Sequence, residues 1–297
     1  MSKLIIFAHG IGDAPKGFEQ EWINAIDWQT IIGKKFEDQS EVIAKGLRWE
    51  DVLDEVEKQY PLLNTDLLAK IGFTAFNSWV DNHVWNMFND YFMDVLVYTA
   101  LDEMWVYIQD ECVKKLNKIV VDNNVSKADT ILIGHSLGAA MFPHLVWREC
   151  VDNGAIPYRG MILLASPLGF ESPDQNLCKD FLTRMGEISS ETRAEVVRNF
   201  SKMWRMSGEN RLRFIANKND IVCSNITFTV SPGVSYKLPM NMSFNNAEIA
   251  SMNAPNAGCF QPISFGKPEP TQIVENHNPL KYMKDQTFID ALKAMLS

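Results

Sequence analysis

The sequence predicts an α/β fold with a mainly parallel sheet, and three observations predict it. Four short aliphatic runs, Leu4–Ala8, Thr130–Gly134, Met161–Ala165 and Arg213–Ala216, are continuous rather than alternating, and each ends in residues typical of loops. Unbroken apolar runs are what a parallel sheet needs when helices cover both of its faces. Stretches with helical spacing lie between these runs, and strands alternating with helices give an α/β layering.

Taken in order, Leu4–Ala8 is the first buried strand and Ala44–Trp49 a weaker second one. Phe73–Tyr107 carries ten aromatics in 35 residues, against 11% for the whole chain. An aromatic stripe on helices is more often core than ligand wall. A helical insertion or lid over 66–110 is therefore carried beside plain core packing. Thr130–Gly134 is the next strand and runs directly into a helical stretch, Leu137–Val151. Met161–Ala165 comes next, then Phe170–Gly208, helical in pattern and richer in charge, a candidate second helical insertion at 170–210. After Arg213–Ala216, residues 222–270 are rich in proline, glycine, asparagine and serine and read as irregular, with a turn at Pro232-Gly233 and room for a short strand pair. Phe288, Ile289, Leu292, Met295 and Leu296 form one face of a last helix. No repeat, low-complexity tract or linker divides the chain, so one domain over 1–297 is expected.

Composition narrows the function. A chain of 297 residues that is 46% hydrophobic and 22% charged suits a globular core without staples. The net charge is 28 − 37 = −9 and the pI about 5.1, which argues against nucleic acid and against a polybasic membrane patch. The five cysteines, Cys112, Cys150, Cys178, Cys223 and Cys259, are odd in number and include no C-x-x-C. They fit neither a disulfide framework nor a zinc site. No apolar run approaches the roughly 18 residues of a bilayer span, and Leu4–Ala8 is too short for a signal-peptide core. A cytoplasmic protein without a transmembrane segment is the expectation.

The sharpest feature is Gly134-His135-Ser136-Leu137-Gly138, a G-x-S-x-G between a buried strand and an amphipathic helix. A serine at the tip of such a turn sits in a strained conformation with its hydroxyl presented, and the flanking glycines prevent clashes across the bend. The helix N-terminus behind it offers N–H groups and a positive dipole end to a developing oxyanion. A helix N-cap serine would leave both glycines unexplained.

A serine hydroxyl needs a base, and the base needs an orienting carboxylate. Of the five histidines, His135 is inside the turn, His144 lies within the following helix and His83 lies among the aromatics. His9 ends the first strand, so His277, in the loop Glu275-Asn-His277-Asn-Pro279 before the last helix, is the candidate base. Asp220 comes after the Arg213–Ala216 strand, on the sheet edge where open α/β folds place their ligands. Asp174, Asp180 and Glu187 are the alternative acids; none comes after an expected strand. The order Ser136, Asp220, His277 is nucleophile, acid, base.

Together, Ile5-Ile-Phe-Ala-His9-Gly10-Ile11-Gly12, the Gly134–Gly138 turn and the Asp220 and His277 loops resemble the α/β-hydrolase superfamily, in detail its bacterial lipase/serine-esterase-like branch. The resemblance implies an α/β-hydrolase fold, in which either helical insertion could be a cap over the sheet's carboxyl edge. In such proteins the His-Gly pair after an early strand opens the oxyanion loop. Carried over by position, the N–H groups of Ile11 and Leu137 would hold the oxyanion. His9 and Gly10 would shape that loop, as Gly134 and Gly138 shape the turn. Because the first strand already carries the His-Gly pair, a minimal sheet of about six strands, or somewhat more, is expected.

A dinucleotide or phosphate site does not fit. Gly10-x-Gly12 has Pro15 where a third glycine belongs, and no Gly-Lys-Ser/Thr comes after it. The expected function is a serine hydrolase cleaving a carboxylic ester, esterase- or lipase-like, with no cofactor or metal and a small-molecule or lipid-like substrate. Acyl transfer, thioester hydrolysis and amide hydrolysis would use the same acyl-enzyme. A non-catalytic binding module on this fold is the third reading.

Overall fold

The computed structural model describes residues 2–10, 15–49, 51–52, 102–139, 157–166, 211–220, 227–231, 234–236, 260–267 and 272–297, with 141, 142, 145, 146 and 149 of the helix after 136. The strands are β1 (Lys3–Ala8), β2 (Val42–Leu47), β3 (Thr130–His135), β4 (Gly160–Leu164), β5 (Leu212–Asn217), β6 (Thr227–Ser231), β7 (Val234–Tyr236) and β8 (Phe260–Ile263). One six-stranded sheet has the order β2-β1-β3-β4-β5-β8, and every neighbouring pair is parallel. This is the α/β class, with helices against the sheet.

Alternation along each strand divides the core into two layers. Ile5 and Phe7 of β1, Ile131 and Ile133 of β3, Ile162 and Leu164 of β4, and Ile215 of β5 share one layer. Four helices supply its other side: α1 (Phe18–Ala25), α2 (Trp28–Ile32), α5 (Pro279–Lys284) and α6 (Gln286–Leu296). The intervening Leu4, Ile6, Leu132 and Leu163 are equally buried, so both faces are covered. The long α3 (Asp102–Asp122) contributes Ile108, Cys112, Leu116 and Val120, buried at four-residue steps along one stripe.

The last helix matches its sequence closely. Asp285 caps it by accepting the Thr287 N–H at 2.8 Å, and Phe288, Ile289, Ala291, Leu292 and Met295 are buried on one face. At its far end Lys3 Nζ donates to the Leu296 carbonyl and Arg159 Nε to the Met295 carbonyl. Cations there satisfy orphan carbonyls and oppose the negative end of the helix dipole.

Two differences from expectation have physical reasons, and the short strand pair for which the sequence left room is present. The second strand runs Val42–Leu47 rather than Ala44–Trp49, because as an edge strand it is only partly buried and shows no continuous apolar run. β8 falls within 222–270, expected to be irregular; it carries Pro262, which an edge strand tolerates. β6 and β7 form an antiparallel pair on either side of Pro232-Gly233, whose own residues lie outside the described set. The insertion expected at 170–210 lies outside the described residues; so does that at 66–110, except for 102–110, which begin α3.

Phe288 is fully buried between α6 and the sheet. Phe288→Ala is expected to destabilise the protein by about 3–5 kcal/mol through lost burial plus a residual cavity. Chemical denaturation of the two proteins measures it.

Candidate functional site

The parallel register brings separate segments to one edge of the sheet. Ala8 stands opposite Gly134, and His135 opposite Leu164. The segments that leave these strands therefore share the carboxyl edge: His9-Gly10 after β1, Ser136 after β3, Ala165-Ser166 after β4 and the Lys218–Asp220 turn after β5.

Ser136 takes φ 54°, a left-handed conformation that side-chain-bearing residues rarely adopt. Its N–H donates to the Leu164 carbonyl at 2.9 Å, and its carbonyl accepts the Ala139 N–H at 2.9 Å. The bend is thus held by β4 on one side and by the new helix on the other. Space accounts for the glycines. A Cβ on Gly134 would lie 2.6 Å from the Gly138 carbonyl oxygen, and one on Gly138 would lie 2.4 Å from the carbonyl oxygen of Ala8 and 2.5 Å from that of His9. Gly10 approaches from above: its Cβ would lie 2.6 Å from Ser136 Cβ and 3.0 Å from Oγ. Ser136 itself is buried, 2% exposed. Leu137 opens the helix, so its N–H belongs to the first turn and has no intrahelical acceptor. Ile11 lies outside the described residues.

His9 packs as a ring in a wall. It stacks on Trp49, with centroids 5.8 Å apart, and meets the edge of Phe18 at 4.8 Å. Trp49 Nε1 donates to the His9 carbonyl at 3.0 Å. Burial pushes the His9 pKa down to about 4, against an opposing hydrogen bond with the Gly10 backbone.

His277 sits between α4 (Ile273–Asn276) and α5, immediately before the Asn278 cap of α5. Its Nδ1 lies 2.7 Å from Asp220 Oδ2, and Asp220 is fully buried. A carboxylate only accepts, so Nδ1 is the donor in this bond. Nε2 is buried and has no hydrogen-bond partner among the described residues, so it is not bonded to Ser136. The His135 ring lies 4.7 Å from that of His277 and 6.2 Å from Trp22. Burial holds the His135 imidazole well below the usual histidine range, with a second contribution from the His277 charge.

Acid and base loops are tied by groups that the sequence did not single out. Asn217 Nδ2 donates to the carbonyls of Phe265 and Asn276, each at 3.2 Å. Asn276 Nδ2 returns a bond to the Asn219 carbonyl at 2.9 Å. Tyr282 Oη donates to Asp220 Oδ2 at 3.0 Å and accepts the Asn217 N–H at 3.0 Å. The signal available was adjacency: Asn217 closes the strand before Asp220, and Asn276 precedes His277. Asp174, Asp180, Glu187, His83 and His144 all lie outside the described residues.

Among the described residues no group of three His, Cys, Asp or Glu side chains could hold a metal ion, and no helix is long and apolar enough to cross a membrane. The arrangement offers a strained serine, an imidazole with a buried free nitrogen and a carboxylate bonded to its other nitrogen.

The buried His9 makes stability depend on pH. Its folded pKa, about 4, lies below the ordinary 6.5, so the unfolded chain binds more protons between those values. That stability is fully present above pH 6.5 and is lost as pH falls through 4. A difference of 6.5 − 4 units corresponds to about 3 kcal/mol. Urea denaturation at pH 7 and pH 4 is expected to show a loss of at least that order, since the buried His135 acts in the same direction, and a smaller loss in His9→Gln.

Compared with known proteins, the chain matches no family model and no curated protein. Among solved structures it is weakly similar to prolyl oligopeptidase B from Galerina marginata, as the apo protein, with 14% identity and a TM-score of 0.31. The match covers 64% of this chain and 24% of that one, so the chain spans about a quarter of that structure's length.

Proposed function

We propose that this chain is a serine hydrolase of α/β-hydrolase type that cleaves a carboxylic ester through Ser136, His277 and Asp220. The observation that carries the reading is the Asp220–His277 pair: a 2.7 Å bond at Nδ1, with Nε2 left buried and without a partner. Two separate loops are held together to make that pair, on the sheet edge where the strained Ser136 also sits. What sets His277 apart from the buried rings of His9 and His135 is its bond to the Asp220 carboxylate.

In the reaction, His277 Nε2 takes the Ser136 proton as Oγ attacks the ester carbonyl. Asp220 stabilises the resulting imidazolium. The Leu137 N–H, with that of Ile11, receives the oxyanion at the helix N-terminus. The imidazolium then protonates the departing alcohol, leaving an acyl-serine. Water, deprotonated by His277, attacks this ester and releases the acid and free Ser136. The missing Ser136–His277 hydrogen bond fits an enzyme without substrate, where such bonds are often long and tighten on binding.

Intact-mass labelling with a fluorophosphonate tests this. One adduct is expected on the wild type and none on Ser136→Ala or His277→Ala; ester turnover by either variant should fall by about 10⁶-fold. A well-folded wild type that takes no adduct would leave the hydrolase reading without support. If the aromatic-rich 73–107 segment lines the site, a lipid-like acyl group is the natural substrate moiety. Turnover of p-nitrophenyl esters is then expected to rise from acetyl toward longer chains, and a preference for acetate would sink that assignment.

A further inference from the structure

Tyr282 is fully buried on α5, and its hydroxyl lies between two groups of fixed polarity. The Asn217 backbone N–H, 3.0 Å from Oη, can only donate. The phenolic proton must therefore point elsewhere, and Asp220 Oδ2 stands 3.0 Å away. The same Oδ2 accepts His277 Nδ1–H at 2.7 Å. A single carboxylate oxygen thus serves both the base and a tyrosine hydroxyl whose direction the backbone of β5 dictates.

We propose that Tyr282 is a positioning residue for the Asp220–His277 pair, its hydroxyl fixing the carboxylate and drawing off part of its charge, so that it sets how firmly Asp220 holds the imidazolium. The inference rests on the serine-hydrolase reading above. A hydrogen bond to a charged acceptor is stronger than a neutral one, and donors to one oxygen compete for its electron density. Without the hydroxyl, Oδ2 has one competing donor fewer, the imidazolium becomes more stable, and the base stays protonated to higher pH.

Among the described residues, two kinds of group lie beside the pair. From β3 comes the His135 ring, 4.7 Å from His277, which burial keeps uncharged; from the Asn217 and Asn276 loops come neutral amides. The Tyr282 ring also packs edge-on against Phe265 at 5.2 Å and against His135 at 5.9 Å. Tyr282→Phe keeps those ring contacts and removes only the oxygen.

The experiment is the second-order rate of fluorophosphonate labelling as a function of pH, for wild type and Tyr282→Phe. The acid limb of the variant is expected to move to higher pH by about half a unit to one unit. If Tyr282→Phe does not fold, 3-fluorotyrosine at position 282 keeps the shape with a stronger donor, and the limb is expected to move to lower pH. Limbs that coincide with wild type in a folded protein, even one with a lower melting temperature, would mean that the hydroxyl only packs, and would overturn the inference alone. A wild type that takes no label overturns the hydrolase reading and this inference with it.

Discussion

At the carboxyl end of β5 the sheet's own hydrogen bonding runs out, and the Asn217 side chain continues it. Its Oδ1 accepts the Asn219 and Phe265 N–H groups, both at 3.2 Å, while Nδ2 reaches the carbonyls of Phe265 and Asn276. Its backbone N–H meanwhile orients Tyr282. Three chain segments far apart in sequence, after β5, after β8 and before α5, are thereby held by one residue. Buried amides tolerate few unmade bonds, since each lost partner exposes the full cost of desolvation. The positions of the Asp220 and His277 loops are therefore tied to the strand that carries Asn217. Gly266 completes the cluster: a Cβ there would lie 1.9 Å from Asn276 Oδ1, and its φ of 68° suits only glycine well.

A second constraint acts on the serine. Its left-handed backbone is kept by bonds to β4 and to the first helical turn, so strain at Ser136 is opposed by the most buried strands of the molecule. Gly138 presses the helix against the carbonyls that end β1, and Gly10 brings the loop after β1 onto Ser136. The register of β1 on β3 thus fixes the surroundings of the hydroxyl. His9 and His135 line this region as neutral rings, so the low-dielectric surroundings contain no fixed positive charge from either one.

Much of this was legible in the sequence, and the illegible parts share a cause. β1, β3, β4 and β5 announce themselves because central parallel strands are covered on both faces and must be apolar throughout. The two edge strands are half covered, so β2 shows a blurred pattern and β8, with Pro262, shows none. Ser136 was legible from its glycines, whose need is local and steric. Asp220 and His277 were reached by position relative to expected strands, and the structure brings them within hydrogen-bond distance. Asn217, Asn276 and Tyr282 were not reached, because their importance lies in contacts across 48 to 65 residues of chain that no local pattern encodes.

Strand order explains why a histidine can join these parts. β3 and β5 are separated by β4 alone, and two inter-strand steps amount to about 10 Å. That gap is too wide for a carboxylate after β5 to meet a hydroxyl after β3 directly, yet an imidazole between them can bond one group at each nitrogen. His277 is already bonded to the acid side, and it is delivered from outside the sheet by a loop that the α5 cap and Asn276 hold in place. Nε2 is then the one polar atom of the ring without a hydrogen bond, and in a buried site an unmatched polar atom favours any group that can bond to it. Ser136, at the bend that ends β3, stands on the same carboxyl edge of the sheet.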